Sequence, residues 1–439
     1  MPRNRLSSCA LLCVVVTCLL AVPGTPAQGA GEANDPVFTQ GLQWGVEQIG
    51  APAAWSAGRG AGITIAVIDS GIDLGHEDLA DKVVAHTSCI GTGGDPSRCA
   101  GSAQDDNGHG THVAGIAGVA PEAKLIAVRV LVNECSSSGC TASGTSGDVA
   151  AGIRWAVDHG ADIVNLSLGG GTLQGALGCA FCDAITYAWS NGVISVIAAG
   201  NDSLLPAGFG DEPAIVVTAT TRDDSRASYS NSTSGLLRAA RWPVAAPGGE
   251  GETNAADCAT GGTPKGVLST YWISGHQNEY ACLAGTSMAA PHVSGALALL
   301  RGQGLGAQAA VDRLLGTAKD LGQPGRDSAF GMGRIDIASA AGPGAPAGTT
   351  TSPATQPPTV SPATAAPTTP ETAPTTAIAP DTTTPVDTLP GTEQAAPFAT
   401  GADRAEEASS WLVAFAIALL LGSGTATASV AWRSAGQGR

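Results

Sequence analysis

Between Gly62 and about Ala340, short apolar runs rich in β-branched residues alternate with stretches of helical pattern, and this limits the fold more than any other feature. The runs are Ile63 to Ile68, Leu125 to Val130, Ile163 to Leu168, Val193 to Ala198 and Ala214 to Thr218. A strand with one wet face alternates apolar and polar residues. These runs are nearly continuous, so both of their faces must be covered. Helical patterns such as Asp148 to His159 and Asp183 to Ser190 lie between them. The pattern predicts an α/β three-layer sandwich with a mostly parallel central sheet. Ligands of such sheets bind beyond the carboxyl ends of the strands.

Polar residues stand at those ends. Asp69 closes the first run, in Ile68-Asp69-Ser70-Gly71, although Asp-Ser-Gly is also ordinary turn chemistry. His109 and His112 sit in Asn107-Gly108-His109-Gly110-Thr111-His112, which leads into a helix of small residues. Their spacing would suit two metal ligands, but no nearby Glu completes such a site. His109 therefore reads as a reacting group and His112 as a packed structural one. The run ending at Ala198 continues into Ala199-Gly200-Asn201, where a side-chain amide can donate to an oxyanion. Finally, Gly285-Thr286-Ser287-Met288-Ala289-Ala290-Pro291-His292 opens an apolar run to Leu300 that reads as a buried helix. Ser287 near its start has N-capping as its ordinary role. The same position offers free backbone N–H groups and the positive end of the helix dipole. Pro291 falls close to the helix start, where a missing N–H costs least.

Together these residues are the set that acyl transfer needs. Ser287 would attack a carbonyl carbon, and His109 would take its proton and pass it to the leaving amine. Asp69 would fix the imidazole tautomer. Asn201 and the Ser287 backbone N–H would hold the oxyanion.

The stretches Ala66 to Gly71, His109 to Gly115 and Gly285 to His292 resemble the three signatures of the subtilisin-like serine peptidases, in that family's chain order. Ala198 to Asn201 matches its oxyanion segment. Ser167-Leu168-Gly169 is similar to the segment that pairs with an extended substrate. The resemblance covers roughly Trp44 to Ala340. It implies endopeptidase activity on protein or peptide substrates, without a cofactor. Ser167, Leu168, Gly169 and Gly200 would contact the substrate, whose first pocket is walled by small residues and suits an apolar side chain. Two departures stand out. The stretch after His109 runs straight through Gly115 to Pro121, without the family's calcium-binding loop. Asp78 alone stands where one calcium ligand would be, and hard cations need several oxygens, so no metal site is expected. Between the expected signal, ending near Ala27, and Trp44 too few residues remain for a folded inhibitory segment.

The rest of the chain predicts where the peptidase works. A net charge of −16 disfavours nucleic acid as a partner. Arg3 and Arg5 precede an apolar run from Leu11 to Val22, which reads as a signal peptide over residues 1–27. A short lead (28–55) and the peptidase domain (56–340) follow. Of 11 cysteines, Cys9, Cys13 and Cys18 leave with the signal. The remaining even set suggests disulfides in an exported chain. Neighbour pairing would join 89 to 99, 135 to 140, 179 to 182 and 258 to 282, though spacing cannot prove it. Cys179-x-x-Cys182 could instead be half a metal site, but no second such pair exists. Residues 341–408, rich in Pro, Thr and Ala, cannot bury enough apolar area to fold and read as a disordered stalk. Fully extended, it would reach on the order of 200 Å. Trp411 to Trp432 is long enough to cross a bilayer, giving a transmembrane helix over 409–432 and a cytoplasmic tail over 433–439. The expected protein is a single-pass membrane peptidase with its catalytic domain outside the cytoplasm. The layout is similar to the mycosins of type VII secretion, which implies partners in a secretion complex and, as an alternative role, a structural part of that machine.

Overall fold

A computed structural model describes residues 36–342, apart from 137–138, 169–180, 204–208, 235–238 and 251–263. The described chain opens with three short helices, α1 (Pro36–Thr39), α2 (Trp44–Gln48) and α3 (Ala51–Ala54). Next come β1 (Thr64–Asp69), β2 (Val83–Ser88), α4 (His109–Ile116), β3 (Lys124–Arg129) and a hairpin of β4 (Val132–Ser136) and β5 (Gly139–Ser143). They are followed by α5 (Ser146–Asp158), β6 (Ile163–Leu166), α6 (Cys182–Ser190), β7 (Ile194–Ala198), β8 (Ala214–Thr220) and β9 (Trp242–Pro247). A second hairpin, β10 (Val267–Tyr271) and β11 (Glu279–Leu283), precedes α7 (Thr286–Gly302), α8 (Ala307–Gly316) and α9 (Ile337–Ala341).

Seven strands form one sheet in the order β2-β3-β1-β6-β7-β8-β9, with every neighbouring pair parallel. The expected subtilisin-like α/β fold with a mostly parallel central sheet is present. Its strands carry the apolar runs because both faces are covered. Ile65 and Val67 pack with α4 and α7 on one face, while Ala66 and Ile68 pack with α5 and α6 on the other. Each buried Val or Ile side chain contributes about 1.5–3 kcal/mol, so burial on both faces of the sheet adds substantially to stability. Helix α7 is buried from Thr286 to Leu300, as a helix apolar on all sides must be. It runs beneath β6, β7, β8 and β9 and packs against α4.

The described part of the lead joins the same core. Trp44 and Ile49 are buried, and the Trp44 indole Nε1–H donates to the Gly266 carbonyl at 2.9 Å. After α4 the chain passes directly into a 3-10 turn at Ala117–Val119, with no intervening loop. Asp78 Oδ2 accepts a hydrogen bond from the Tyr280 hydroxyl at 2.5 Å. Cys89 is bonded to Cys99, and Cys135, Cys182 and Cys282 are also in disulfides. Cys135 stands opposite Cys140 in the first hairpin's register. Cys179, Cys258, the signal, the stalk and the C-terminal apolar run lie outside the described residues. Among the described residues, no helix is long and apolar enough to cross a membrane.

Two histidines are fixed inside this core as neutral rings. His112 Nε2–H donates to the Ala281 carbonyl at 3.0 Å, and His292 Nδ1–H donates to the Met288 carbonyl at 2.8 Å. Burial lowers their pKa values to about 3 and about 4. An unfolded histidine titrates near about pH 6.5. As pH falls below that value, the unfolded chain takes up protons that the folded core refuses. The stability that these two neutral rings contribute is therefore fully present above about pH 6.5 and is lost toward about pH 4, with a slope approaching two protons, about 2.7 kcal/mol per pH unit. Urea unfolding followed across this range should show this loss between about pH 6.5 and 4. A flat profile would contradict the neutral assignment.

Candidate active site

Two strand ends bring the polar residues together. Val67 of β1 lies opposite Asn165 of β6. Two residues further on, Asp69 and Ser167 stand at neighbouring ends of a parallel pair, whose strands run about 4.8 Å apart. Asp69 is fully buried. Its Oδ1 accepts from His109 Nδ1 at 2.7 Å and from the Ser70 backbone N–H at 2.8 Å. The imidazole reaches it because α4 begins against the tip of β1. A Cβ at Gly110 would stand 2.1 Å from the Gly71 carbonyl oxygen, so only glycine permits the approach. Burial alone would depress the His109 pKa, but the Asp69 charge and hydrogen bond outweigh it and raise the value. About 15% of the His109 side chain stays open to solvent. With Nδ1 held by a carboxylate, Nε2 is the nitrogen that can exchange a proton.

Residues that motif reading passed over hold this geometry. Asp105 is buried at the start of α4, where its Oδ1 accepts from Ser70 Oγ and from the backbone N–H groups of Asn107 and Gly108. Its Oδ2 accepts from the Thr111 backbone N–H and hydroxyl. The orphan donors of the helix start are thus shared out: the His109 N–H goes to Asn107 Oδ1, the Gly110 N–H to Ser70 Oγ at 3.0 Å and the Thr111 N–H to Asp105, which also ties the turn to the residue after Asp69. Asp105 lies only four positions before His109, yet an acidic residue before a helix is too common to single out.

On the neighbouring strand end, the Ser287 and Ser167 peptides are bonded twice. Ser287 Oγ donates to the Ser167 carbonyl at 3.1 Å, and Ser167 Oγ donates to the Ser287 carbonyl at 2.7 Å. Asn201 follows the end of β7, and its Oδ1 accepts from both the N–H and the hydroxyl of Thr286 at 2.9 Å. The Thr286 hydroxyl accepts in turn from the Gly200 N–H at 3.1 Å. Because its Oδ1 is occupied, Asn201 presents Nδ2 as the remaining group. A Cβ at Gly285 would lie 3.5 Å from that Nδ2 and 3.6 Å from the Ser287 backbone N. Both donors therefore border one small space that Gly285 leaves open. Asn231 steadies the turn from behind, with Nδ2 donating to the Ala199 carbonyl and Oδ1 accepting from the Asp202 N–H. Gly200 has φ +101°, and a Cβ there would come within 2.5 Å of Asn231 Nδ2.

Asp69, His109, Asn201, Ser287 and Ser167 are thus gathered at adjacent strand ends. Leu168 is buried beside them in sequence, and Gly169 lies outside the described residues. His112 is a packed core residue, as its sequence context suggested.

Comparison with known proteins fits this geometry. Residues 60–333 match the subtilase family. The chain belongs to that family. Thermitase of Thermoactinomyces vulgaris is 36% identical over 318 residues, covering 69% of this chain and 96% of that protein. Subtilisin Savinase of Lederbergia lenta is 36% identical over 277 residues, covering 60% of this chain and 85% of that protein. Among solved structures, a protease of Pseudoalteromonas arctica PAMC 21717 aligns with a TM-score of 0.54 and 29% identity, over 71% of this chain and 99% of that one. This subtilase is a serine-type endopeptidase acting on protein or peptide substrates.

The open space beside Gly285 makes a direct prediction. Gly285 has φ 162°, extended backbone that alanine also adopts, and the added methyl would meet its neighbours only at ordinary contact distance. Gly285→Ala should therefore fold normally. Its methyl would occupy the space between the two donors, and kcat should fall by about 10²-fold, the size of losing one oxyanion donor. Hydrolysis of a peptide anilide, alongside a melting curve, checks both halves.

Proposed function

We propose that this subtilase works through a Ser287–His109–Asp69 triad, from a membrane-anchored position outside the cytoplasm. The observation that carries the triad is the 2.7 Å hydrogen bond from His109 Nδ1–H to Asp69, at the end of the strand next to β6, beyond whose end the Ser167 carbonyl accepts from Ser287 Oγ. An extended substrate pairs along Ser167, Leu168 and Gly169, gaining main-chain hydrogen bonds whatever its side chains. A substrate N–H that reaches the Ser167 carbonyl takes the place now held by Ser287 Oγ. The released hydroxyl turns to His109 Nε2 and attacks the scissile carbonyl carbon, while Nε2 takes its proton. Asn201 Nδ2–H and the Ser287 N–H stabilise the negative oxygen in the space beside Gly285, and Gly200 helps to wall the first pocket. His109 then protonates the amine as the carbon–nitrogen bond breaks. Water, activated by the same imidazole, hydrolyses the acyl-enzyme.

The setting is read from sequence: an apolar N-terminal run behind Arg3 and Arg5, cysteines in disulfides, a stalk rich in Pro, Thr and Ala, and an apolar run from Trp411 to Trp432. Disulfides persist in oxidising compartments, which favours the exported side.

A fluorophosphonate probe should label the wild-type chain once and leave Ser287→Ala unlabelled with its fold intact. Labelling that survives the substitution would place the nucleophile elsewhere. In fractionated cells the full chain should sediment with membranes, and a chain ending at residue 408 should be released. If the shortened chain also sediments, the C-terminal run is not the anchor.

A further inference from the structure

Helix α7 begins at Thr286, so Pro291, expected near the helix start where its missing N–H would cost least, lies instead in the helix interior, four residues after Ser287. In an α-helix the N–H of residue i+4 bonds to the carbonyl of residue i. Proline has no N–H, and its ring crowds that same carbonyl. The Ser287 carbonyl therefore cannot receive its regular helix partner. Ser167 Oγ, just past the end of β6, supplies a donor instead at 2.7 Å.

That hydroxyl is not free to do otherwise. Behind it lies Asn165, an amide at zero exposure in the apolar strand β6. Asn165 Nδ2 donates to Ser167 Oγ at 2.9 Å, and Asn165 Oδ1 accepts from Ser294 Oγ at 2.8 Å. Ser294 lies on α7, also at zero exposure. Ser294 Oγ also lies 3.4 Å from the Ala290 carbonyl, but its 2.8 Å bond to Asn165 Oδ1 is much the shorter and turns Asn165 Nδ2 toward Ser167. Its Nδ2 then fills the acceptor side of Ser167 Oγ, which leaves the single Ser167 hydrogen for Ser287. All donors run one way, from Ser294 through Asn165 and Ser167 to the Ser287 carbonyl. Each bond in such a chain polarises the next.

A buried amide in a strand of Ile, Val and Leu costs stability unless every partner is present. Apolar residues of similar volume would fill the same space without that demand. The chain ends on the peptide of one residue, Ser287, whose N–H borders the open space beside Gly285 and whose side chain is the proposed nucleophile. We propose that the Ser167 hydroxyl is a positioning group for Ser287: it replaces the helix N–H that Pro291 removes and, held by Asn165 and Ser294, fixes the peptide from which the attacking oxygen and one oxyanion donor project.

This inference rests on Ser287 being the nucleophile, and its test separates the two ideas. Acylation by a p-nitrophenyl ester is followed in the pre-steady state, per fluorophosphonate-titrated site, for wild type, Ser167→Ala, Pro291→Ala and the double variant. Ser167→Ala should slow acylation about tenfold, the size of one lost buried hydrogen bond, with KM changed less than about threefold. With alanine at 291, a backbone N–H becomes available to the Ser287 carbonyl. In that background the further loss on Ser167→Ala should shrink to less than about threefold. Equal losses in both backgrounds would overturn the proposal. Ser294→Ala, which keeps the Ser167 hydroxyl but frees the amide behind it, gives a readout independent of the proline. It should slow acylation by about threefold. If Ser294→Ala and Ser167→Ala lower the melting temperature yet acylate at the wild-type rate per site, the chain is only a strand–helix tie and the proposal falls. A wild-type chain that takes no label at Ser287 would sink the nucleophile assignment itself.

Discussion

The polar rim of this protein depends on one register, Val67 of β1 opposite Asn165 of β6. Side chains alternate faces along a strand, so register and facing are set together. With this pairing, Asp69 emerges at a strand tip where α4 can meet it, and Ser167 emerges beside it where α7 begins. A slip of one residue would turn every side chain of the strand over. Asp69 would then face α5, away from the helix that carries His109. The apolar pattern forbids such a slip, because Ile65 and Val67 must pack with α4 and α7 while Ala66 and Ile68 pack with α5. The hydrophobic core thus selects the geometry of the rim.

Given the register, both helix starts must come unusually close to the strand tips. At Gly110 a methyl would overlap the Gly71 carbonyl oxygen. Gly71 itself adopts φ +121°, and a Cβ there would come within 2.5 Å of the Ala103 carbonyl oxygen. Close approach also strips water from backbone groups, which then need new partners. Asn107, Ser70 and Asp105 supply them at α4, and Asn201 supplies one for Thr286 at α7. The residues around the site are therefore chosen twice, once for the space they leave and once for the hydrogen bonds they complete.

How far the sequence revealed this depended on the range of the forces involved. Continuous apolar runs marked β1, β3, β6, β7 and β8 to within about two residues, since double-sided burial leaves a local trace. The strand β9 carries Pro243 and Pro247 and gave no β-branched apolar run; it lies at the sheet edge, where proline is tolerated. The other edge strand, β2, is half-exposed and lacks the continuous apolar trace. The two hairpins escaped notice too. For the site, the glycine-flanked motifs around Asp69, His109 and Ser287 were plain, whereas Asp105, Asn165, Asn231 and Ser294 were not. Their roles come from partners up to about a hundred and thirty residues away, and nothing local distinguishes them from turn or helix-surface polar residues.

That division has a physical cause. Within the body of the sheet, any well-fitting apolar side chain serves, and cores accept such exchange at modest cost when volume is kept. Sequence there carries a pattern more than an identity. At the rim each side chain answers a particular donor or acceptor, and leaving one unanswered costs about 1–3 kcal/mol. Identity matters there residue by residue, so the rim shows in sequence as short fixed strings. A string is visible only when its members are neighbours in the chain, as around His109 and Ser287. The bonds from Ser294 to Asn165 and from Ser167 to Ser287 obey the same rule between separate elements, and only the folded chain sets them side by side.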